Sequence, residues 1–183
     1  MESLERGGAY LRCASPSWSD PFDGSYSMRF GGRWNGPGTF PVVYLNANRE
    51  TAKANARRLL TKGFNSVFVS AEDLDPSELP TLIATIVLDE QYIDIVSDGG
   101  CAAAGLPTTY PLDANGQEIA HSSCQPIGAA AWAEGDLGIA CRSAAPGATS
   151  DGEELAYFDR PGRKLEAVGE PIPFDDWYGP IDW

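Results

Sequence analysis

The side chains best suited to chemistry lie in the first third of the chain and at one position near its end. Arg12 stands in a short apolar stretch, and Arg33 stands in the glycine-rich sequence GGRWN at residues 31–35. A guanidinium donates two parallel hydrogen bonds to an anionic group, and glycines let the backbone approach a ligand closely. Tyr44 and Ser143 add hydroxyl groups that both donate and accept hydrogen bonds. Together these residue types favour a site for a small anion.

The distribution of charge agrees with such a site. The chain has a net charge of −13, which argues against nucleic acid as the main partner because phosphate backbones bind basic surfaces. Residues 1–63 nevertheless carry nine basic and five acidic side chains, whereas residues 64–183 carry four and 21. A basic third in an acidic protein indicates local anion binding, although ordinary surface arginines would give the same count.

Several common site types are excluded by missing motifs. The sequence has no GxGxxG after a strand, no GxxxxGK[ST] and no GxSxG, which removes the usual dinucleotide, P-loop and hydrolase patterns. The four cysteines are widely spaced and there is one histidine, so we expect no metal site. The longest small apolar stretch, residues 127–133, is too short to span a membrane, and the N-terminus lacks a signal-peptide pattern, so we expect a cytoplasmic protein.

The elements that must position these residues are short and mixed. Apolar and β-branched segments predict strands at residues 9–14, 41–46, 82–88, 137–142 and 154–158, with an alternating segment at 92–96. Helices are predicted from residue 49, after Asn48 as N-cap, to about 62, and at 98–104 and 126–134. This pattern is typical of an α+β fold. We expect one domain over residues 1–183, with a core at about 9–160 and an aromatic, proline-rich tail at 161–183 packed on it.

The order of these motifs resembles the RES-domain family, the toxin half of bacterial toxin–antitoxin pairs. The resemblance is carried by a strand arginine, then GGRWN, then the VYL of residues 43–45, a helix, and a late Arg142-Ser143 pair. It covers roughly residues 10–158. It implies an ADP-ribosyltransferase-like fold, with a split, strongly twisted mixed β-sheet and a few short helices. It also implies that NAD is consumed by phosphorolysis, by hydrolysis or by transfer of ADP-ribose to a protein.

The resemblance also implies roles for individual residues. Arg12, Arg33, Tyr44 and Ser143 would bind NAD, with the arginines on the diphosphate and the tyrosine ring on the nicotinamide. Arg33, Asn55 and Ser143 would be the catalytic residues. Phosphorolysis would also require inorganic phosphate, for which Arg29 or Arg142 could supply a cation.

One position departs from the family pattern. The family glutamate should lie in the helix after the VYL strand, and that position is Asn55. Three interpretations remain open at this point. A carboxylate from Glu50, Glu153 or Glu154 substitutes for it, or Asn55 suffices by positioning the substrate, or the chain binds NAD and cleaves it weakly or not at all.

The sequence therefore predicts an NAD-degrading enzyme that is the toxin of a toxin–antitoxin pair. A protein ADP-ribosyltransferase and a catalytically inactive module that binds NAD or a partner are the alternatives. The expected partners are NAD and an antitoxin protein that covers the site, with neither nucleic acid nor membrane involved. An oligomer is compatible with the sequence.

Overall fold

The computed structural model describes residues 1–61 and 79–179, and these residues form an α+β fold around a mixed six-stranded sheet. The strands are β1 (Ser3–Ala14), β2 (Val42–Asn46), β3 (Thr81–Ile95), β4 (Gly138–Arg142), β5 (Glu153–Phe158) and β6 (Ala167–Ile172). The helices are α1 (Ser25–Phe30), α2 (Arg49–Thr61), α3 (Asp98–Ala103), α4 (His121–Glu134) and α5 (Phe174–Trp177). The predicted fold class is confirmed.

The strand order is β1-β2-β5-β4-β3-β6, and β1 also pairs along most of its length with β3. Five strands therefore form a closed circuit of pairings, in which only β3 and β4 run parallel. Two of these pairings are short. Strand β1 pairs with β2 through one described pair, Leu11 with Asn46, and β3 pairs with β4 through Ile93–Ile95. This arrangement twists the sheet strongly and brings the ends of β2, β4 and β5 close together.

Side chains alternate between the two faces of each strand, so the sheet has a hydrophobic core on each face. One face carries an inner cluster enclosed by the strands, to which Tyr10, Val43 and Leu155 contribute. The other face carries an outer cluster, to which Val42, Ile139 and Phe158 contribute. That outer cluster also includes Trp34 of the GGRWN segment and Cys124 of α4, so this segment is part of a hydrophobic core.

Helix α2 begins where the sequence predicts. Asn48 accepts a hydrogen bond at Oδ1 from the backbone N–H of Thr51, at 2.8 Å, and so caps the helix. Ala52 and Ala56 are fully buried in a third cluster with Trp177 of α5. The predicted helix end near residue 62 lies outside the described residues, as do residues 180–183 of the tail.

Three predicted boundaries differ from the structure by more than one residue. Segments 82–88 and 92–96 are one continuous strand, β3, and β1 begins six residues before the predicted start. Helix α4 begins at His121 and not at the predicted residue 126. The prediction was wrong because Pro126, which is typical of a helix start, lies inside the helix. The tail contains β6, which was not predicted because its residues are mostly exposed and include Gly169 and Pro171. Among the described strands, β6 pairs with β3 alone. Among the described residues, no helix has the length and hydropathy needed to cross a membrane.

Helix α4 packs directly on the backbone of the GGRWN segment. A Cβ added at Gly128 would lie 1.8 Å from the carbonyl oxygen of Trp34, closer than any real contact. Glycine at this position is therefore what allows α4 to approach Trp34, which is fully buried.

We predict that Gly128→Ala destabilises the protein by about 1–3 kcal/mol, because the methyl group forces α4 away from Trp34. The direction of this change in stability is informative, because alanine in a helix interior is otherwise more favourable than glycine by about 0.5–1 kcal/mol. Urea unfolding at unchanged m-value measures the difference. Ser122→Ala, at an exposed position of the same helix, should change stability by less than about 0.5 kcal/mol. A Gly128→Ala variant as stable as the native protein would contradict the contact.

Candidate functional site

The GGRWN segment is held in place by the Tyr44 hydroxyl. This hydroxyl donates to Oδ1 of Asn35 at 2.9 Å and accepts from the backbone N–H of Trp34 at 3.0 Å. Burial raises the pKa of Tyr44 well above its ordinary value, so the phenol stays protonated and remains a donor. A Cβ at Gly32 would lie 2.3 Å from the Tyr44 Oη, which explains why glycine is required beside Arg33.

Asn35 completes this attachment. Its side chain is fully buried, and its Nδ2 donates to the carbonyl oxygens of Ser27 at 2.8 Å and Phe40 at 2.9 Å. The amide therefore joins α1, the segment before β2, and Tyr44 of β2. These bonds fix the backbone from which Arg33 extends.

Arg33 is a nearly buried cation, with 8% of its surface exposed. Its Nη1 donates to the carbonyl oxygen of Ile119 at 2.9 Å, and its Nη2 donates to Oε1 of Glu118. The Nη2 of Arg58 lies 3.3 Å from the same carboxylate oxygen. Desolvation, the largest single influence, lowers the pKa of Arg33, but Tyr110, Cys124 and Glu118 together raise it above the ordinary value. The guanidinium is therefore charged at any physiological pH.

Arg12 occupies a different environment. It shares a face of β1 with Tyr10 and Ala14 of the inner cluster, and its guanidinium donates to the carbonyl oxygens of Pro21 at 3.0 Å and Tyr44 at 2.8 Å. Its charged group lies 5.4 Å from the ring centre of Trp18. Burial lowers the pKa of Arg12 to about 10. Within the described part of the chain, Arg12 and Arg33 have no hydrogen-bond partner in common.

A second group of predicted residues converges on one carboxylate. Oε1 of Glu154 accepts hydrogen bonds from Nδ2 of Asn55 at 2.9 Å and from Oγ of Ser143 at 2.5 Å. Asn55 Nδ2 also donates to Oδ1 of Asn46 at 2.8 Å, and Asn46 in turn donates to the carbonyl oxygen of Leu11. Asn55 and Ser143, which are 88 positions apart in sequence, are thus joined through a single side chain.

Four elements bring this cluster together. Glu154 stands in β5, where it pairs with Asn46 of β2 on one side and with Cys141 of β4 on the other. Ser143 follows the last residue of β4, and its backbone N–H donates to the carbonyl oxygen of Gly152 at 2.8 Å. Asn55 lies in the second turn of α2, whose orientation is set by the Asn48 cap.

The three candidate carboxylates are distinguished by their contacts. Glu153 forms a two-point ion pair with Arg6, at 2.7 and 2.9 Å, on the opposite face of β5 from Glu154. Glu50 is largely exposed and lies 3.6 Å from the Nζ of Lys53. Of the three, Glu154 is the one in contact with Asn55 and Ser143. Alternation along β5 could have separated Glu153 from Glu154, but only the strand pairings identify which face carries Asn55.

A cavity of about 740 Å³ lies beside Ser143. Its walls come from residues 143–153, which include Glu153, from the segment around Tyr110, and from Glu118. Arg142 lines it as well, but its guanidinium is bonded to the carbonyl oxygen of Val96 at 2.7 Å and to Asp98 at 2.6 Å. Arg29, the other suggested cation, lies on α1 and is not among the lining residues. Within residues 1–61 and 79–179, no group of three His, Cys, Asp or Glu side chains could hold a metal ion.

Comparison with known proteins gives a family and several relatives. A family model described as the RES domain matches residues 10–177. Curated relatives in Mycobacterium tuberculosis and Mycobacterium bovis, each called NAD(+) phosphorylase MbcT, are 31% identical over 114 residues. The match covers 62% of this chain and 55% of the relative, so it spans little more than half the length of those proteins.

The fold has a solved counterpart. The crystal structure of the Mycobacterium tuberculosis MbcT-MbcA toxin-antitoxin complex contains a chain that superposes with a TM-score of 0.72 and 24% sequence identity. The superposition covers 96% of this chain and 91% of the other. The architecture described above is therefore that of a known structure.

We predict that Tyr44→Phe lowers the free energy of unfolding by about 1–3 kcal/mol, because Asn35 Oδ1 and the Trp34 N–H lose their buried partner. Chemical denaturation measures the change. Tyr26→Phe, whose side chain is 60% exposed, serves as the control and should leave stability unchanged. If Tyr44 served only to stack its ring on a ligand, the phenylalanine variant would be as stable as the native protein.

Proposed function

The chain belongs to the RES domain family, and from this premise we propose that it cleaves the nicotinamide–ribose bond of NAD with inorganic phosphate as the acceptor. The observation that carries the proposal is the contact of Glu154 with Ser143 and Asn55, beside a cavity large enough for a substrate. The phosphorylase activity of the MbcT relatives supports the choice of phosphate over water.

The reaction requires little from the protein beyond charge and position. As the bond from ribose C1 to the nicotinamide nitrogen breaks, both electrons go to that nitrogen and neutralise the pyridinium ring. The ribose acquires oxocarbenium character, which a nearby carboxylate stabilises. A phosphate oxygen then donates a lone pair to C1, giving ADP-ribose phosphorylated at that carbon and free nicotinamide.

Glu154 supplies the negative charge in this scheme. In this chain the family glutamate position is Asn55, which is neutral, but its amide donates to Oε1 of Glu154. We therefore propose that the carboxylate is supplied by the neighbouring strand β5 and not by the helix, and that Asn55 orients it. Asn55 is proposed to act through Glu154 and not alone.

Ser143 connects the carboxylate with the cavity. Its hydroxyl donates to Glu154 and accepts from the backbone N–H of Ala145 at 3.2 Å, so the position of Oγ is fixed. Ser143 also lines the cavity, where this oxygen can accept a hydrogen bond from a ribose hydroxyl or a protonated phosphate. Ser143 is therefore proposed as the contact between the substrate and Glu154.

The predicted NAD-binding residues divide into two roles. Arg33, whose counterion Glu118 lines the cavity, is proposed to hold the diphosphate. Arg12 and Tyr44 bond to the protein's own backbone and to Asn35, so their proposed role is to hold the segment that carries Arg33. The Tyr44 hydroxyl binds Asn35 and the Trp34 N–H, so Tyr44 is not proposed to stack on nicotinamide.

A protein partner is also proposed. The related MbcT is found in a toxin-antitoxin complex with MbcA, and a partner that covers the cavity would stop NAD from entering. Residues 64–183, which include most of the cavity wall, carry 21 acidic and four basic side chains, so a basic partner surface would fit. We propose that the protein acts in the cytoplasm.

The reaction itself can be measured directly. We expect the purified 183-residue protein to release nicotinamide from NAD, faster when inorganic phosphate is present, and to form a phosphorylated ADP-ribose detectable by chromatography and phosphorus NMR. Free ADP-ribose as the main product would indicate hydrolysis instead. Label from NAD on a protein would indicate ADP-ribosyl transfer. No nicotinamide release, with or without phosphate, would refute NAD cleavage.

The carboxylate assignment has its own test. Glu154→Gln should keep the hydrogen bond from Ser143 but lose the charge, so kcat should fall by about 10²–10³-fold while the fold is retained. The matched control is Glu50→Gln, which removes the same charge from an exposed position on α2 and should keep full activity. Activity that survives Glu154→Gln would assign the chemistry to another group.

A further inference from the structure

The cavity wall contains an acidic residue that the proposed reaction does not use. Glu118 is 38% exposed, lines the cavity, and accepts at Oε1 from Nη2 of Arg33. Nη2 of Arg58, on α2, lies 3.3 Å from the same oxygen. One carboxylate thus lies between two guanidiniums at the edge of the space proposed for an anionic substrate.

The buried cation explains why a carboxylate lies here. Arg33 is almost fully removed from water, and a buried charge without a counterion is strongly destabilising. Glu118 supplies that counterion, while the next residue, Ile119, supplies a carbonyl oxygen to Nη1 of Arg33. A phosphate group would meet the same need, because carboxylate and phosphate oxygens accept the same two-point hydrogen bonds from a guanidinium.

Glu118 is carried by a turn that does not depend on its side chain. Leu112 and Glu118 form a backbone bridge, and the Asp113 carboxylate accepts from the N–H groups of Asn115 and Gln117 at 2.8 and 2.9 Å. Gly116 has φ +73°, which suits the turn. The backbone is therefore held by its own bonds, and the half-exposed Glu118 side chain is able to rotate into solvent without unfolding the turn.

We propose that Glu118 is a built-in competitor of the ligand's phosphate group, whose carboxylate occupies Arg33 and Arg58 until a phosphate anion displaces it. The proposal rests on the proposed function for the identity of the physiological ligand, and Arg58 is added to the residues that contact it. Both anions cannot occupy the guanidiniums together, because their like charges repel at this distance. Displacement therefore reduces the apparent affinity for weak anions and favours ligands, such as a diphosphate, that carry two phosphate groups.

Pyrophosphate is the probe that tests this competition without requiring catalysis. In calorimetry on the full chain, Glu118→Gln should bind pyrophosphate about tenfold more tightly than the native protein, since a neutral amide competes poorly for a guanidinium. The control is again Glu50→Gln, which makes the same change in net charge on the helix that carries Arg58, and its affinity should stay within about twofold. Arg58→Gln should bind pyrophosphate more weakly.

Glutamine keeps an acceptor oxygen for Arg33, so we expect this variant to fold. If it does not, Glu118→Asp keeps the charge but withdraws the carboxylate by one methylene group, and it should also bind pyrophosphate more tightly than the native protein. Unchanged or weaker binding in the folded variant, or the same gain in Glu50→Gln, would overturn the competition. If the affinity shift appears but NAD is not turned over, the competition stands and only the proposed reaction is refuted. Turnover without the affinity shift would refute only the competition.

Discussion

One carboxylate oxygen, Oε1 of Glu154, connects the parts of the molecule on which the proposed chemistry depends. It accepts from Asn55 of α2 and from Ser143 after β4, while Glu154 itself stands in β5. A charged acceptor forms stronger hydrogen bonds than a neutral one, so both donors are held in fixed orientations. The same oxygen would otherwise be a partly buried charge without partners, which is costly. Structural and chemical requirements therefore coincide at this residue.

The residues in and around the glycine-rich segment at 31–35 have different structural roles. Arg12 donates to the backbone of Tyr44, Tyr44 donates to Asn35, and the Tyr44 hydroxyl leaves no room for a side chain at Gly32. This chain of contacts runs from the inner cluster through β2 to the outer cluster. At the end of this chain of contacts, the Arg33 guanidinium binds Glu118, which lines the cavity. Side chains that look equally suited to ligand binding in the sequence thus differ in what they touch.

Local features of the fold were predictable from the sequence, and long-range ones were not. The Asn48 cap and the strand at β2 follow from residue types within a few positions. Strand β6 was missed because an exposed edge strand has no alternating pattern. The contact between Asn55 and Glu154 depends on the pairing of β2 with β5, which no spacing in the sequence encodes. The sequence could name three carboxylates as candidates, but the strand pairings decide which face of β5 carries Asn55.

An acidic protein whose proposed ligand is also acidic needs a local arrangement that overrides its net charge. Here the charge of −13 is spread over a surface where salt screens it beyond about 8–10 Å, whereas Arg33 acts from a nearly buried position where screening is weak. The acidic surroundings then oppose non-specific binding of other anions. A ligand must therefore bring enough charge at the right spacing to displace a carboxylate that is already in place. Selectivity for a diphosphate follows from this competition, whereas an open basic groove would attract any anion.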